Sequence, residues 1–230
     1  MKKLLISSLI AGAMTASVSA NAAVYNDNYI GLDENRGAAN STDILGGLPF
    51  DVQNMEVTVD GDEVTVVVNT TYTEGTNGTH GGDLFISIDG LSWAAGGSTF
   101  DNAETTGTTW EFAVDTTDGA LLELGQGETI NQSAYGANLD SYREKHIVDV
   151  DNGTAVANAE STASINAGAY TYTFLLSNLG QNVLADDLGL HWTMSCGNDV
   201  IETNVPEPGS IALLGLGLLG LGLARKKSKA

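Results

Sequence analysis

The chain has 230 residues, enough for one domain with a real core, and sets 29 Asp and Glu against nine Lys and Arg, a formal net charge of −20. A field of that sign repels nucleic acid and anionic lipid, which excludes nucleic-acid binding as a function. Cys196 is the single cysteine, so no internal disulfide exists and core packing has to hold the fold together.

At the N-terminus, Lys2 and Lys3 precede an apolar run over residues 4–16, and small residues follow at Ser17, Ser19, Ala20, Ala22 and Ala23. This is the charged, apolar and small-residue order of a secretory signal peptide, assigned to residues 1–22. It implies the Sec translocon and signal peptidase as partners. Val18-Ser19-Ala20 and Ala20-Asn21-Ala22 both offer a cleavage site, so cutting after Ala20 or after Ala22 stays open. The terminal segments hold Lys2, Lys3, Arg225, Lys226, Lys227 and Lys229. Between them only Arg36, Arg143 and Lys145 face the 29 carboxylates, a balance of about −26.

Residues 23–204 read as one acidic β domain. Residues 25–50, rich in Asn, Asp and Gly, predict an irregular arm. Glu56-Val57-Thr58-Val59 then alternates polar and apolar, Asp60-Gly61 is a turn pair, and residues 63–72 return with β-branched side chains, a hairpin signature. Further strands are predicted over 83–88, 109–114, 121–124, 146–150, 169–176 and 190–194, the last followed by an exit loop. A weak helical pattern covers 179–188. The expected fold is all-β, a β-sandwich or jelly-roll-like single domain, flanked by the N-terminal signal helix and a short C-terminal hydrophobic helix.

An acidic exported β domain offers many hard oxygen ligands, which makes calcium the expected cation. Asp60-Gly61-Asp62-Glu63, Asp149-Val150-Asp151-Asn152-Gly153 and Asp186-Asp187 are the local clusters, and none completes a calcium loop. Asp149 and Asp151 are the favoured place; turn geometry alone also explains such residues. His80, His146 and His191 read as structural, and Cys196 as a small buried hydrophobe. Trp93, in a Gly/Ser-rich loop just after a strand, is the candidate for stacking on a sugar ring, whereas Trp110 and Trp192 lie in strand patterns and read as core. No nucleophile elbow, His-Glu-x-x-His motif or phosphate-cradling Gly-rich loop is found, so no catalytic residue is assigned.

The chain ends in Val205-Pro206-Glu207-Pro208-Gly209-Ser210, an apolar run over 211–224, and Arg225, Lys226, Lys227 and Lys229. Two prolines hold an extended handle around one carboxylate. As a helix the run is about 22 Å long, short against a hydrocarbon core of about 30 Å, and the basic cluster keeps its end cytoplasmic. Handle, short Gly/Leu-rich helix and basic tail resemble the PEP-CTERM sorting signal of Gram-negative bacteria. Residues 81–90, 109–115 and 190–199 are further similar to stretches of exported PEP-CTERM proteins of gammaproteobacterial type. The resemblance implies that a membrane exosortase recognises Val205, Pro206, Glu207 and Pro208 and removes the tail. The protein would then pass from a transient inner-membrane anchor to the cell surface or the extracellular space of a biofilm-forming, exopolysaccharide-producing cell. Within that setting the expected role is non-catalytic, structural or interactive. A calcium-dependent, lectin-like adhesin is the alternative, and a secreted glycoside hydrolase ranks below both.

Overall fold

Val alternating with Thr, Asn and Glu favours a strand with one apolar face and a defined register. In the computed structural model, which describes residues 21–27, 49–91, 108–125, 130–132, 146–197 and 199–205, this stretch is the hairpin of β2 (Val52–Asp60) and β3 (Glu63–Thr70). Its closing pair is Asp60/Glu63, so the turn is Gly61-Asp62, one residue later than the sequence suggested. The signal segment, Trp93, and Pro206, Glu207 and Pro208 with the apolar tail lie outside the described residues.

The hairpin is the centre of a five-stranded antiparallel sheet, ordered β1 (Asn21–Asn26), β2, β3, β11 (Ala169–Leu175), β10 (Ser161–Asn166). β10 and β11 join through Ala167-Gly168, whose φ angles of 47° and 87° make a two-residue turn that follows the twist of the strands. Gly168 is required twice over, by its φ and because a Cβ there would lie 2.5 Å from the Thr70 carbonyl oxygen. Burial alternates along the strands: Val64, Val66 and Val68, and Tyr170, Tyr172 and Phe174, are buried, while their neighbours are half-exposed. This sheet has one dry face.

The second sheet, of six strands, behaves differently. Its order is β13 (Val200–Asn204), β12 (Gly189–Thr193), β4 (Leu84–Ser87), β5 (Phe112–Val114), β6 (Leu121–Glu123), β9 (Thr154–Ala155). Every residue of β4, β5 and β12 is buried. Leu84, Ile86, Phe112, Val114, Leu121, Leu190 and Trp192 share one apolar cluster with the buried residues of the five-stranded sheet. Phe85, Ala113 and Leu122, on the opposite face, form a second cluster with Trp110, Leu91 and the β8 (Ile147–Val150) residues Ile147 and Val150. β8 itself pairs with β7 (Ile130–Gln132). A sheet covered on both faces loses the polar/apolar alternation, which is why these strands read as continuous apolar runs.

All-β architecture is as expected, and the predicted strands all form, most of them trimmed at the ends. β1, β7, β9, β10 and β13 were not anticipated. The stretch after Met194 turns back into β13, so 190–194 is not the last strand. The helical pattern at 179–188 comes down to the 3-10 turn Ala185–Asp187, with another at Leu176–Asn178 just before it.

A polar link crosses the shared cluster. Trp192 Nε1 donates to the Tyr172 hydroxyl at 2.8 Å, and that hydroxyl donates to the Gly82 carbonyl at 3.0 Å. Thr116 Oγ1 lies 2.8 Å from the same hydroxyl and donates to the same carbonyl. Gly82 allows this approach because it has no side chain: a Cβ would meet Val148 O at 2.4 Å and Thr193 O at 2.6 Å. Tyr172→Phe keeps the ring but leaves the Trp192 N–H buried without an acceptor, a loss of about 1–3 kcal/mol. The expected result is a lower urea midpoint with an unchanged slope; a midpoint equal to the parent's would show that the link contributes nothing.

Candidate functional site

Pairing places five side chains in one row across the six-stranded sheet: Glu202, His191, Phe85, Ala113 and Leu122. The first two are ionisable and fully buried, with side-chain exposures of 1% and 2%. His191 Nε2 lies 2.8 Å from the Ile147 carbonyl oxygen, which can only accept, so Nε2 carries a hydrogen. Nδ1 then faces Glu202 Oε1 at 2.7 Å and the two groups share one proton. The surroundings are aromatic: Trp110 is tilted over His191 at 5.6 Å, Phe85 meets it edge-on at 6.1 Å, and His146 stacks at 6.3 Å. Burial pushes the Glu202 carboxyl well above the usual carboxylate range. Its second oxygen, Oε2, is buried and makes no hydrogen bond among the described residues. Physically the row fastens β8 onto the sheet through the Ile147 carbonyl.

Asp83 does similar work at the start of β4. Its Oδ1 accepts from the Thr116 N–H at 2.8 Å and its Oδ2 from the Val150 N–H at 3.0 Å, while its own N–H donates to Val148 O at 2.7 Å. Burial pushes this carboxyl up to about 7, against the two amide donors that pull it down. On the five-stranded sheet, Glu74 Oε2 accepts from the Tyr170 hydroxyl at 2.6 Å and from the Gly81 N–H at 3.0 Å. Asp199, completely buried, accepts from the Val52 and Val200 amides and so joins the two sheets at β2 and β13.

Of the residues singled out in the sequence, Asp149 is half-buried and both its oxygens are engaged. His80 Nε2 lies 2.8 Å from Oδ2, and Asn131 Nδ2 donates to Oδ1 at 2.6 Å. Asp151 is exposed in the bend that follows β8. Among the described residues no group of three or more His, Cys, Asp or Glu could hold a metal ion. Trp110 and Trp192 are core, at 9% and 0% exposure, and Cys196 lies in the shared cluster. The Glu202–His191 pair was missed in the sequence. The one available signal was Cys196-Gly197 as a two-residue turn, which would have put residues 191 and 202 opposite each other on the strands either side.

At the far end, β13 stops at Asn204, and Val205 is still part of the fold. It is 5% exposed and its N–H donates to Leu188 O at 2.9 Å. A PEP-CTERM protein-sorting motif matches residues 204–227, so the match begins on the last residue of β13 and takes in Val205, Pro206, Glu207, Pro208 and the apolar run. That motif marks an exported protein with a membrane-anchored sorting signal handed to an exosortase. No curated protein and no solved structure matches the chain. Among the described residues no helix is long and apolar enough to cross a membrane.

Asp83 and Glu202 both hold a proton more tightly when folded than when unfolded. The folded state therefore carries extra protons between the ordinary carboxylate range and about pH 7, and stability falls as pH rises through that window. In about 0.5 M salt, where repulsion among surface carboxylates is largely screened, the melting temperature near pH 5 should exceed that near pH 8. Asp83→Asn should flatten the dependence between those limits. A melting temperature that is level or rises with pH across this range would rule out raised buried carboxyls as the controlling groups.

Proposed function

We propose that this chain is an exosortase-sorted protein of the cell surface or extracellular matrix, a β-sandwich with a structural or interactive role in an exopolysaccharide layer and no catalytic one. The observation that carries the reading is the direct junction of fold and sorting motif: Val205 is buried and hydrogen-bonded, and Pro206 follows it with no linker. Whatever is delivered by the tail is this β domain. The non-catalytic part draws support from how the buried ionisable groups are used. Asp83, His191 with Glu202, and Asp199 each bind backbone or side-chain groups of neighbouring strands, which is the work of holding sheets together without disulfides.

The start of the domain also narrows the first cut. β1 pairs with β2 from Asn21↔Val59 and Ala22↔Thr58 onward. Cleavage after Ala22 would strip two residues from an edge strand, whereas cleavage after Ala20 leaves all of β1 in place. The mature chain of this proposal starts at Asn21. An acidic, hydroxyl- and amide-rich surface suits contact with a hydrated polyol and repels anionic lipid.

Intact-mass and N-terminal analysis of the exported protein from an exosortase-bearing host tests both cuts. The expected form begins at Asn21 and lacks residues 211–230, and Glu207→Ala should retain them. Lys229 in the mature parent protein would overturn exosortase processing. Co-sedimentation with the host's own polysaccharide tests the rest: protein that stays wholly in the supernatant would remove the matrix role while leaving the sorting route intact.

A further inference from the structure

Register turns the wet face of the five-stranded sheet into an ordered array. β3 and β11 bury every second residue, so the residues between stand on the opposite face, and pairing carries that face across all five strands. Three rows cross it. One is Ala22, Thr58, Thr65, Thr173 and Thr162, four threonines on neighbouring strands. Another sets Asn26, Asn54, Asn69 and Asn166 in line, with Ala169 between the last two. The row between them holds Glu56, the only charged side chain of the three rows in a chain of net charge −20. None of these side chains is buried and none is aromatic.

Hydrogen bonds across the strands hold the rows in order. Thr162 Oγ1 lies 2.6 Å from Thr173 Oγ1. Asn69 Nδ2 donates to Asn54 Oδ1 at 2.8 Å and to Glu56 Oε1 at 2.9 Å, which engages the one carboxylate within the face. Strands lie about 4.8 Å apart and alternate residues about 6.7 Å along each strand, so hydroxyls and amides recur on a grid about 19 Å wide. Asp60 and Glu63, the closing pair of the β2–β3 hairpin, bound that grid at one end.

We infer that this face binds an uncharged polysaccharide, one chain along the rows, on the reading that the protein works in an exopolysaccharide layer. Complementarity selects the partner. Threonine hydroxyls and asparagine amides both donate and accept, as sugar hydroxyls do, whereas ionised carboxylates only accept and repel an anionic glycan. The threonine methyls, Val24 and Val67 meet the C–H groups of the sugars between those hydrogen bonds. Successive strands are rotated by about 20–25°, so the rows wind, and a single flexible chain follows them where a flat crystalline surface does not. Without an aromatic platform each sugar is held weakly, and affinity accumulates over the run of sugars that the array spans.

Affinity electrophoresis of the exported protein is the test, in native gels cast with hydroxyethylcellulose, dextran or galactomannan as neutral probes and with carboxymethylcellulose as the anionic one. Retardation is expected in at least one neutral gel and not with carboxymethylcellulose. Thr65→Val with Thr173→Val removes two hydroxyls while keeping shape and strand preference, and should raise the dissociation constant for the retarding polymer about tenfold or more. Thr117→Val, at an exposed threonine outside this face, should leave it within about twofold of the parent. All four threonines of the row are at least half-exposed, so far-UV circular dichroism should be unchanged; if the double variant misfolds, Thr58→Val replaces it and should cost about threefold. Free mobility in all three neutral gels overturns the inference, and so does equal retardation by carboxymethylcellulose or parental affinity in the Val variants. Host polysaccharide that sediments the parent and the double variant alike would remove this face while leaving the matrix role in place.

Discussion

The central strands of the six-stranded sheet are buried on both faces, and in a chain without a disulfide most other features follow from that. Neither face of β4, β5 or β12 meets water, so every polar group there needs a partner inside the protein. Gly82 is the point where three such needs meet. Its N–H donates to Thr193 O, its carbonyl takes the Tyr172 and Thr116 hydroxyls, and its missing side chain lets Val148 O come close. The neighbouring Asp83 then takes the amides of Thr116 and Val150, tying the β5 turn and β8 to the start of β4. Packing supplies the driving force for the two sheets to meet, and this small polar cluster sets how they meet.

The excess of carboxylates is thus divided between two physical tasks. Among the described residues, Glu56, Asp60, Asp62, Glu63 and Asp118 are of the solvated kind and contribute to the chain's field. A few, Asp83, Glu202 and Asp199 among them, are desolvated and act as acceptors for strands that have no other way to satisfy their amides or ring nitrogens. Burial raises the carboxyls of Asp83 and Glu202; Asp83 takes the Val150 N–H of β8, and Glu202 faces the His191 ring that reaches the Ile147 carbonyl of β8. Mild acidity therefore relieves the burial cost of these two carboxyls, while the amide hydrogen bonds to Asp83 favour its ionised form.

The sequence disclosed the β class and the central hairpin because Val alternates with polar residues where one face is wet. It disclosed β4, β5 and β12 as apolar runs but not that both their faces are covered, since a run of four buried residues has no period to read. β10 was invisible for the opposite reason: Ser, Thr, Ala and Asn at a half-exposed edge carry almost no burial signal. Val200–Asn204 gives no clear strand pattern because acidic residues, Asp199 and Glu202, stand in and beside it, and only the structure shows their side chains buried and paired. Asp149 and Asp151 looked like neighbours with one purpose, yet the strand ends between them, and Asp149 turns to His80 and Asn131 while Asp151 faces water. The sorting motif, by contrast, is legible in the sequence, since proline, apolar length and basic charge act locally and need no tertiary partner.

That end also couples folding to sorting. Five residues lie between Val205 and Ile211, and the six Cα-to-Cα steps at about 3.3–3.6 Å each reach no more than about 22 Å. While the apolar run remains in the membrane, the domain must therefore lie within about that distance of the surface. An enzyme that grips Pro206-Glu207-Pro208 as an extended strand and also needs the residue before it must compete with the Val205–Leu188 hydrogen bond and the burial of the Val205 side chain. Val205 directly follows β13, an edge strand whose one partner in the sheet is β12, so releasing it leaves the ladder of β13 intact. A fold that ends on an edge strand can surrender one residue to a processing enzyme and keep its core, whereas one ending in a central strand could not.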